Sequence, residues 1–284
     1  MPGFPIVDTH LHIWDPALIR YPWLDGNDLL NRPYLLDQYD REFASVEVEA
    51  MVFVQCEADF SAFMEEADWV SEQAKADPRI RGMVAWAPLE KGRAVEADLL
   101  RLKQHAILRG IRRIIQFEDD IEFCLRPDFI DGVRLLPQHG LSFDICIDYR
   151  HMANVLRFVE QLPGVPMILD HIGKPCIREG QMQPWARQMR ELAEFPNVVC
   201  KVSGVATEAR PDWKTEELIP YLDVAFEAFG FGRTMFGGDW PVTLQAVEPS
   251  RWIGLLDDYL AGSPEGDLRR FWRDNAISTY RLGI

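Results

Sequence analysis

No C-x-x-C pair occurs among the five cysteines, Cys56, Cys124, Cys146, Cys176 and Cys200, and their number is odd. That spacing excludes a disulfide framework and a structural zinc knuckle. Cysteines within or just after apolar runs are read instead as small buried hydrophobes. Any block of Lys or Arg is also missing, since 30 basic residues face 45 acidic ones for a formal charge of −15. Such a balance repels phosphate backbones and anionic bilayers, which argues against nucleic acid and membrane partners. No window approaches the roughly 20 apolar residues of a membrane span. The first residues lack the basic start and apolar run of a signal peptide, so a cytoplasmic protein is expected. Neither a G-x-G-x-x-G turn nor a Walker A loop is present, which argues against the common phosphate cradles.

What is present is an ordinary globular composition: 284 residues, 48% hydrophobic, 11% aromatic and 26% charged. A chain of this kind buries a sizeable core. Short apolar runs alternate with amphipathic stretches from end to end. The runs predict eight strands: Pro5–Thr9, Ala50–Cys56, Ile80–Ala87, Leu108–Gln116, Leu141–Ile147, Pro166–Asp170, Val198–Val202 and Thr234–Gly237. Helical patterns cover Leu36–Val46, Phe60–Ala76, Ala94–His105, Pro127–His139, Met152–Gln161, Pro184–Phe195, Lys214–Phe229 and Arg251–Leu260, with a further amphipathic stretch from Pro264 to Arg281.

Runs such as Met51-Val52-Phe53-Val54 are hydrophobic without alternation, as in parallel strands buried on both faces. Eight βα units fill a chain of about 250 residues or slightly more, the size of a (β/α)8 TIM barrel. The expected fold is therefore α/β, one (β/α)8 domain over residues 1–284, with a doubly wound sheet as the alternative. The stretch from Trp14 to Leu35 is the longest without a periodic pattern, and in a barrel it lies on the catalytic face.

The strongest local pattern is Val7-Asp8-Thr9-His10-Leu11-His12, two histidines one residue apart at a strand end. In extended chain, positions i and i+2 point to one side, so His10 and His12 can share a metal ion; an accidental polar pair on a loop is the alternative. His171 follows the sixth apolar run and Asp239 the eighth. All strand C-termini of a parallel barrel converge on one face, where these four can meet as N and O ligands of Zn2+ or a similar divalent ion. Asp239 suits proton transfer beside bound water, with a helix N-cap as its structural alternative. Arg112 and Arg113, in an otherwise apolar run, suit substrate hydroxyls or a carboxylate, and a structural ion pair equally. Lys174, Lys201 and Ser203 follow strands six and seven and are weaker substrate-binding candidates. Trp14, Trp23 and Trp240 offer flat apolar faces to the C–H groups of a ligand, with ordinary core packing as the alternative.

These segments carry a resemblance. His10-Leu11-His12, His171 and Gly238-Asp239-Trp240-Pro241 resemble the amidohydrolase superfamily. Together with Tyr21-Pro22-Trp23-Leu24, Arg109-Gly110-Ile111-Arg112, Asp170-His171-Ile172-Gly173-Lys174-Pro175 and Lys201-Val202-Ser203-Gly204, they are similar to its sugar-lactonase branch, which includes L-fucono-, L-rhamnono- and galactono-lactonases.

The resemblance implies a hydrolase that opens a sugar lactone to its aldonic acid, with His10, His12 and His171 organising one cation and Asp239 as base and then acid. Zn2+ is the expected ion, Mn2+ the alternative, and some relatives work without metal. Binuclear members of the superfamily have a carboxylated lysine or a glutamate at the fourth strand. Here that run has no lysine, which argues against two metals, and Glu57 is the residue that would complete a mononuclear site. A related decarboxylase of an unsaturated or aromatic acid is the alternative activity, and a non-catalytic binding protein the alternative class. The expected partner is a small sugar lactone, with homo-oligomerisation left open.

Overall fold

The computed structural model describes residues 1–284. Eight parallel strands run in sequence order around one sheet: β1 Ile6–Leu11, β2 Val48–Val54, β3 Ile80–Ala85, β4 Leu108–Arg112, β5 Ser142–Ile145, β6 Met167–Leu169, β7 Val198–Val202 and β8 Thr234–Phe236. The sheet closes between its first and last strands. Leu11 bridges Trp240 in parallel, while the His12 N–H donates to the Trp240 carbonyl and the Asp239 N–H to the His10 carbonyl, each at 2.8 Å. The expected (β/α)8 barrel is therefore the fold, and a doubly wound sheet is not.

The outer layer consists of α1 Leu36–Glu42, α2 Phe63–Ala76, α3 Glu96–Leu102, α4 Pro127–Arg134, α5 Met152–Glu160, α6 Trp185–Ala193, α7 Thr215–Phe229 and α8 Pro249–Tyr259. Unalternated strand residues fill two cores, as parallel strands require. One core lies between sheet and helices. The other, with Val7, Val52, Val54, Val84, Ile168 and Met235, lies within the barrel and is closed by Ala276, Tyr280 and Leu282 of the C-terminal segment.

Several boundaries differ from the periodicity. The fourth strand stops at Arg112 rather than Gln116, because Arg113 turns outward to donate to the Ile114 carbonyl at 2.7 Å and to pair with Glu90 and Glu118. The amphipathic stretch after Pro264 is not one helix. It comprises α9 Glu265–Arg269, a wide π turn over Arg270–Asp274 and α10 Asn275–Tyr280. The wide turn buries the consecutive Phe271 and Trp272, and Trp272 packs on Phe236 of β8.

The Trp14–Leu35 segment is ordered by its own apolar residues. Trp14 bridges Tyr34, Pro22–Leu24 forms a 3-10 turn, and Trp14, Tyr21, Leu24, Leu30 and Tyr34 are buried. All cysteines are free, four buried and Cys176 half-buried. No helix is long and apolar enough to cross a membrane.

Candidate active site

The C-terminal strand ends bring the chemistry together. His10 and His12 come from the end of β1, Arg112 from β4, His171 from the turn after β6 and Asp239 from the turn after β8. The His10 ring centroid lies 4.9 Å from that of His12 and 4.5 Å from that of His171. Asp239 Oδ1 is 3.7 Å from His10 Nε2 and 3.6 Å from His12 Nε2, while its Oδ2 is 3.9 Å from His171 Nδ1.

Local contacts hold each group. His12 Nδ1 lies 2.7 Å from the Val54 carbonyl. A carbonyl can only accept, so Nδ1 carries the proton and Nε2 keeps its lone pair toward Asp239. Ser203 Oγ lies 2.9 Å from His171 Nδ1. Asp8, wholly buried, ties β1 to β8: its carboxylate accepts from the backbone N–H of His10 and of Gly238 and from the Tyr39 hydroxyl, at 2.9, 2.8 and 2.9 Å.

Gly204 sits at φ +58°, where a Cβ would meet His171 Nδ1 at 2.6 Å and Asp239 Oδ2 at 2.7 Å. Five of the six non-glycine residues with positive φ belong to this region: Glu57, His171, Ile172, Lys174 and Asp239. Such backbone persists where the surrounding structure over-determines it, commonly at functional sites.

A buried polar column lies beneath. Arg112 donates to the Gln55 carbonyl at 2.6 Å and lies 3.2 Å from His10 Nε2 and 3.3 Å from Asp170 Oδ2. Lys201 bridges Asp144 at 3.0 Å and Asp170 at 2.9 Å. Despite the burial penalty, Lys201 and the neighbouring cations hold the Asp170 carboxyl below its usual range. Burial first, then the surrounding cations, pushes His10 and His171 well down. Burial lowers His12 too, against the opposing pull of Asp239. These shifts favour the neutral imidazole, the form that ligates a metal.

Two groups of donor atoms lie within 4.8 Å of one another: His10, His12 and Asp239, and His10, Asp170 and His171. In the second group, Asp170 is already compensated by Lys201 and Arg112. The first has two neutral imidazoles and a carboxylate with no Lys or Arg partner, a donor set that suits one divalent cation with an open position. Buried His10 Nδ1 makes no hydrogen bond, although Asp170 Oδ1 lies 3.5 Å away. Glu57 belongs to neither group, so the structure does not bring it to the cation position. Its carboxylate is held instead by Gln55.

A cavity of about 110 Å³ opens above these groups. His12, His171, Asp239 and Arg112 line it, with Glu57 and Lys174 as further charged lining and Trp14, Trp23 and Phe117 among its apolar walls. His10 lies beside it. Of the remaining sequence candidates, Lys201 and Ser203 are wholly buried, contacting Asp170 and His171. Trp240 is a core residue, donating to Glu42 at 2.8 Å and packing on Tyr34 and Tyr39. Arg113 does not line the cavity; Glu90 and Glu118 hold it elsewhere.

Sequence reasoning assigned no role to Asp170, Asp8, Gln55 or Tyr280. For Asp8 and Asp170 a signal existed, a carboxylate directly beside or two before a candidate ligand histidine. For Tyr280, on an apparently ordinary amphipathic helix, there was none.

Residues 7–282 match the family described as Amidohydrolase. The chain belongs to that family. It is 33% identical over 293 residues to the L-fucono-1,5-lactonase of Burkholderia multivorans, covering 97% of this chain and 96% of the relative. It is 23% identical over 337 residues to the L-rhamnono-gamma-lactonase of Scheffersomyces stipitis, covering 99% of this chain and 100% of the relative. A crystal structure of an amidohydrolase from Burkholderia multivorans with bound Zn superposes with a TM-score of 0.89 at 30% identity, covering 98% of this chain and 100% of that one.

Proposed function

We propose that this chain is a hydrolase that opens a sugar-acid lactone of the L-fucono, L-rhamnono or galactono type to the aldonic acid. The observation that carries the reading is the Asp239 carboxylate among three imidazoles beside an aromatic-walled cavity. The lactonase relatives support the substrate class.

Asp239 removes a proton from the attacking water as the new C–O bond forms at the lactone carbonyl. It then returns that proton to the ring oxygen as the ring C–O bond breaks. Its two oxygens divide the work: Oδ1 faces His10 and His12, and Oδ2 faces His171. His10, His12 and Asp239 Oδ1 would hold one Zn2+, the ion bound in the similar amidohydrolase. Bound there, the ion supplies Lewis-acid polarisation of the carbonyl and acidifies water. Arg112 and Lys174 add positive charge for the developing oxyanion, with Trp23 covering the sugar face; a preorganised donor of this kind is worth about 3 kcal/mol.

The test is a pH-indicator assay over L-fucono-, L-rhamnono- and galactono-lactones of both ring sizes, with and without chelator. Acid release from at least one is expected, with the product heavier than the substrate by one water. Release of CO2 from an unsaturated or aromatic acid, with every lactone left intact, would overturn the reading in favour of a decarboxylase.

A further inference from the structure

Glu57 remains unexplained by the proposed chemistry. It lines the cavity, stands outside both donor groups and has a left-handed backbone at φ 52°. Two hydrogen bonds with Gln55 fix it: Gln55 Oε1 accepts from the Glu57 N–H at 2.6 Å, and Gln55 Nε2 donates to Glu57 Oε1 at 2.7 Å. Gln55 is itself wholly buried, so this clamp is part of the barrel wall. The nearby guanidiniums are engaged elsewhere, Arg112 with Asp170 and Arg113 with Glu90 and Glu118. Glu57 therefore has no ion-pair partner, its Oε2 has no hydrogen-bond donor from the protein, and burial raises its carboxyl above the usual range.

Glu57 is only half-buried, so this free carboxylate oxygen opens to the cavity, where a ligand hydroxyl can replace water as its donor. The indole beside it is also fixed, because Trp23 Nε1 donates to the Cys56 carbonyl at 2.7 Å. Trp23 is 38% exposed and lines the same cavity. A charged acceptor next to a flat apolar face matches a molecule with O–H groups on its edge and C–H groups on its face.

We infer that Glu57, clamped by Gln55 and flanked by Trp23, is a polyol-recognition subsite that accepts hydrogen bonds from adjacent hydroxyls of a polyhydroxylated lactone ring. The inference rests on the lactonase reading and deepens it. The enzyme selects for hydroxylated rings and against bare ones, since a missing hydroxyl leaves the clamped carboxylate unpaired. A hydrogen bond to a charged acceptor corresponds to roughly 10- to 150-fold in affinity.

The experiment compares kcat and KM of the wild type and of Glu57→Gln on a six-carbon aldono-1,5-lactone and on δ-valerolactone, the same ring without hydroxyls. Glu57→Gln should lower kcat/KM for the aldonolactone about 10- to 100-fold more than for δ-valerolactone, mainly through KM. Glu57→Asp, which keeps the charge but shortens its reach, should lose less. A second measurement needs no variant: across mono-deoxy aldonolactones, the wild type should lose at least about 10-fold at one ring position.

Equal losses on both substrates in Glu57→Gln, or a wild type indifferent to every deoxygenation, would overturn the subsite and leave the lactonase reading standing. A wild type that opens no lactone at all would overturn that reading, and the subsite with it.

Discussion

The Tyr280 hydroxyl donates a 2.6 Å hydrogen bond to Asp144 Oδ2 inside the barrel, although the two residues are 136 positions apart. Through Asp144, Lys201 and Asp170 the last helix of the chain is tied to the residues beneath His10. Both partners are wholly buried, so neither can turn to water when the other is removed. Tyr280→Phe should therefore destabilise the fold by about 1–3 kcal/mol. Urea unfolding of variant and wild type measures it, and an unchanged midpoint would contradict the role given to this bond.

Gly204 is pressed against both His171 and Asp239. Gly204→Ala adds a methyl where no room exists and places it at positive φ, at a cost of about 1–2 kcal/mol for the backbone alone. Lactone turnover should fall by at least about 10-fold through displacement of the two side chains. The parallel measurement is thermal melting, where a drop of a few degrees is expected. Retained turnover would mean that His171 and Asp239 tolerate displacement.

Glu66 on α2 is buried, and its Oε1 accepts from the Cys56 N–H at 3.0 Å. Burial pushes its carboxyl up to about 8 from an ordinary 4.5. Because the folded pKa is raised, the folded chain retains a proton that the unfolded chain has lost between those values. The contribution of this group to stability thus falls as pH rises from about 5 to 8 and levels off above. Glu66→Gln keeps an acceptor for Cys56 without the charge. It should leave stability nearly unchanged at pH 5 and raise it by about 2–4 kcal/mol at pH 9. Denaturant unfolding across that range gives the difference directly, and parallel curves would refute it.

Asp239→Asn retains the shape of the side chain and removes its basicity. Turnover of the best lactone should fall by roughly 10²- to 10⁴-fold. His12→Ala removes a nitrogen from the candidate cation position, and elemental analysis of the purified variant should find less zinc than in the wild type, for which about one ion per chain is expected. Near-wild-type turnover in Asp239→Asn would remove the carboxylate from the mechanism.

Much of the barrel was legible because several of its parallel strands are apolar on both faces. Met51-Val52-Phe53-Val54 and Met167-Ile168-Leu169 read as strands and are strands. The strand-end positions of His10, His12, His171 and Asp239 were legible for the same reason, since a barrel sends every strand end to one face. Arg112 and Arg113 were not separable: adjacent residues on a strand point to opposite sides, and one residue of register decides which guanidinium meets the cavity. Glu57 was legible as a strand-end carboxylate but not in its direction, because the left-handed turn there has no glycine to announce it. Tyr280 was hidden by the π turn before it, which changes the face that the final helix presents.

The seam of the barrel has a consequence for synthesis. His10 and His12 are made long before Asp239, and the hydrogen bonds that close the sheet join these same segments. Until residue 241 has left the ribosome, β1 is paired on one edge only, by β2, and the Asp239 carboxylate that faces both histidines is missing. A chain that ends before the eighth strand thus lacks both the closing seam and the carboxylate that faces His10, His12 and His171.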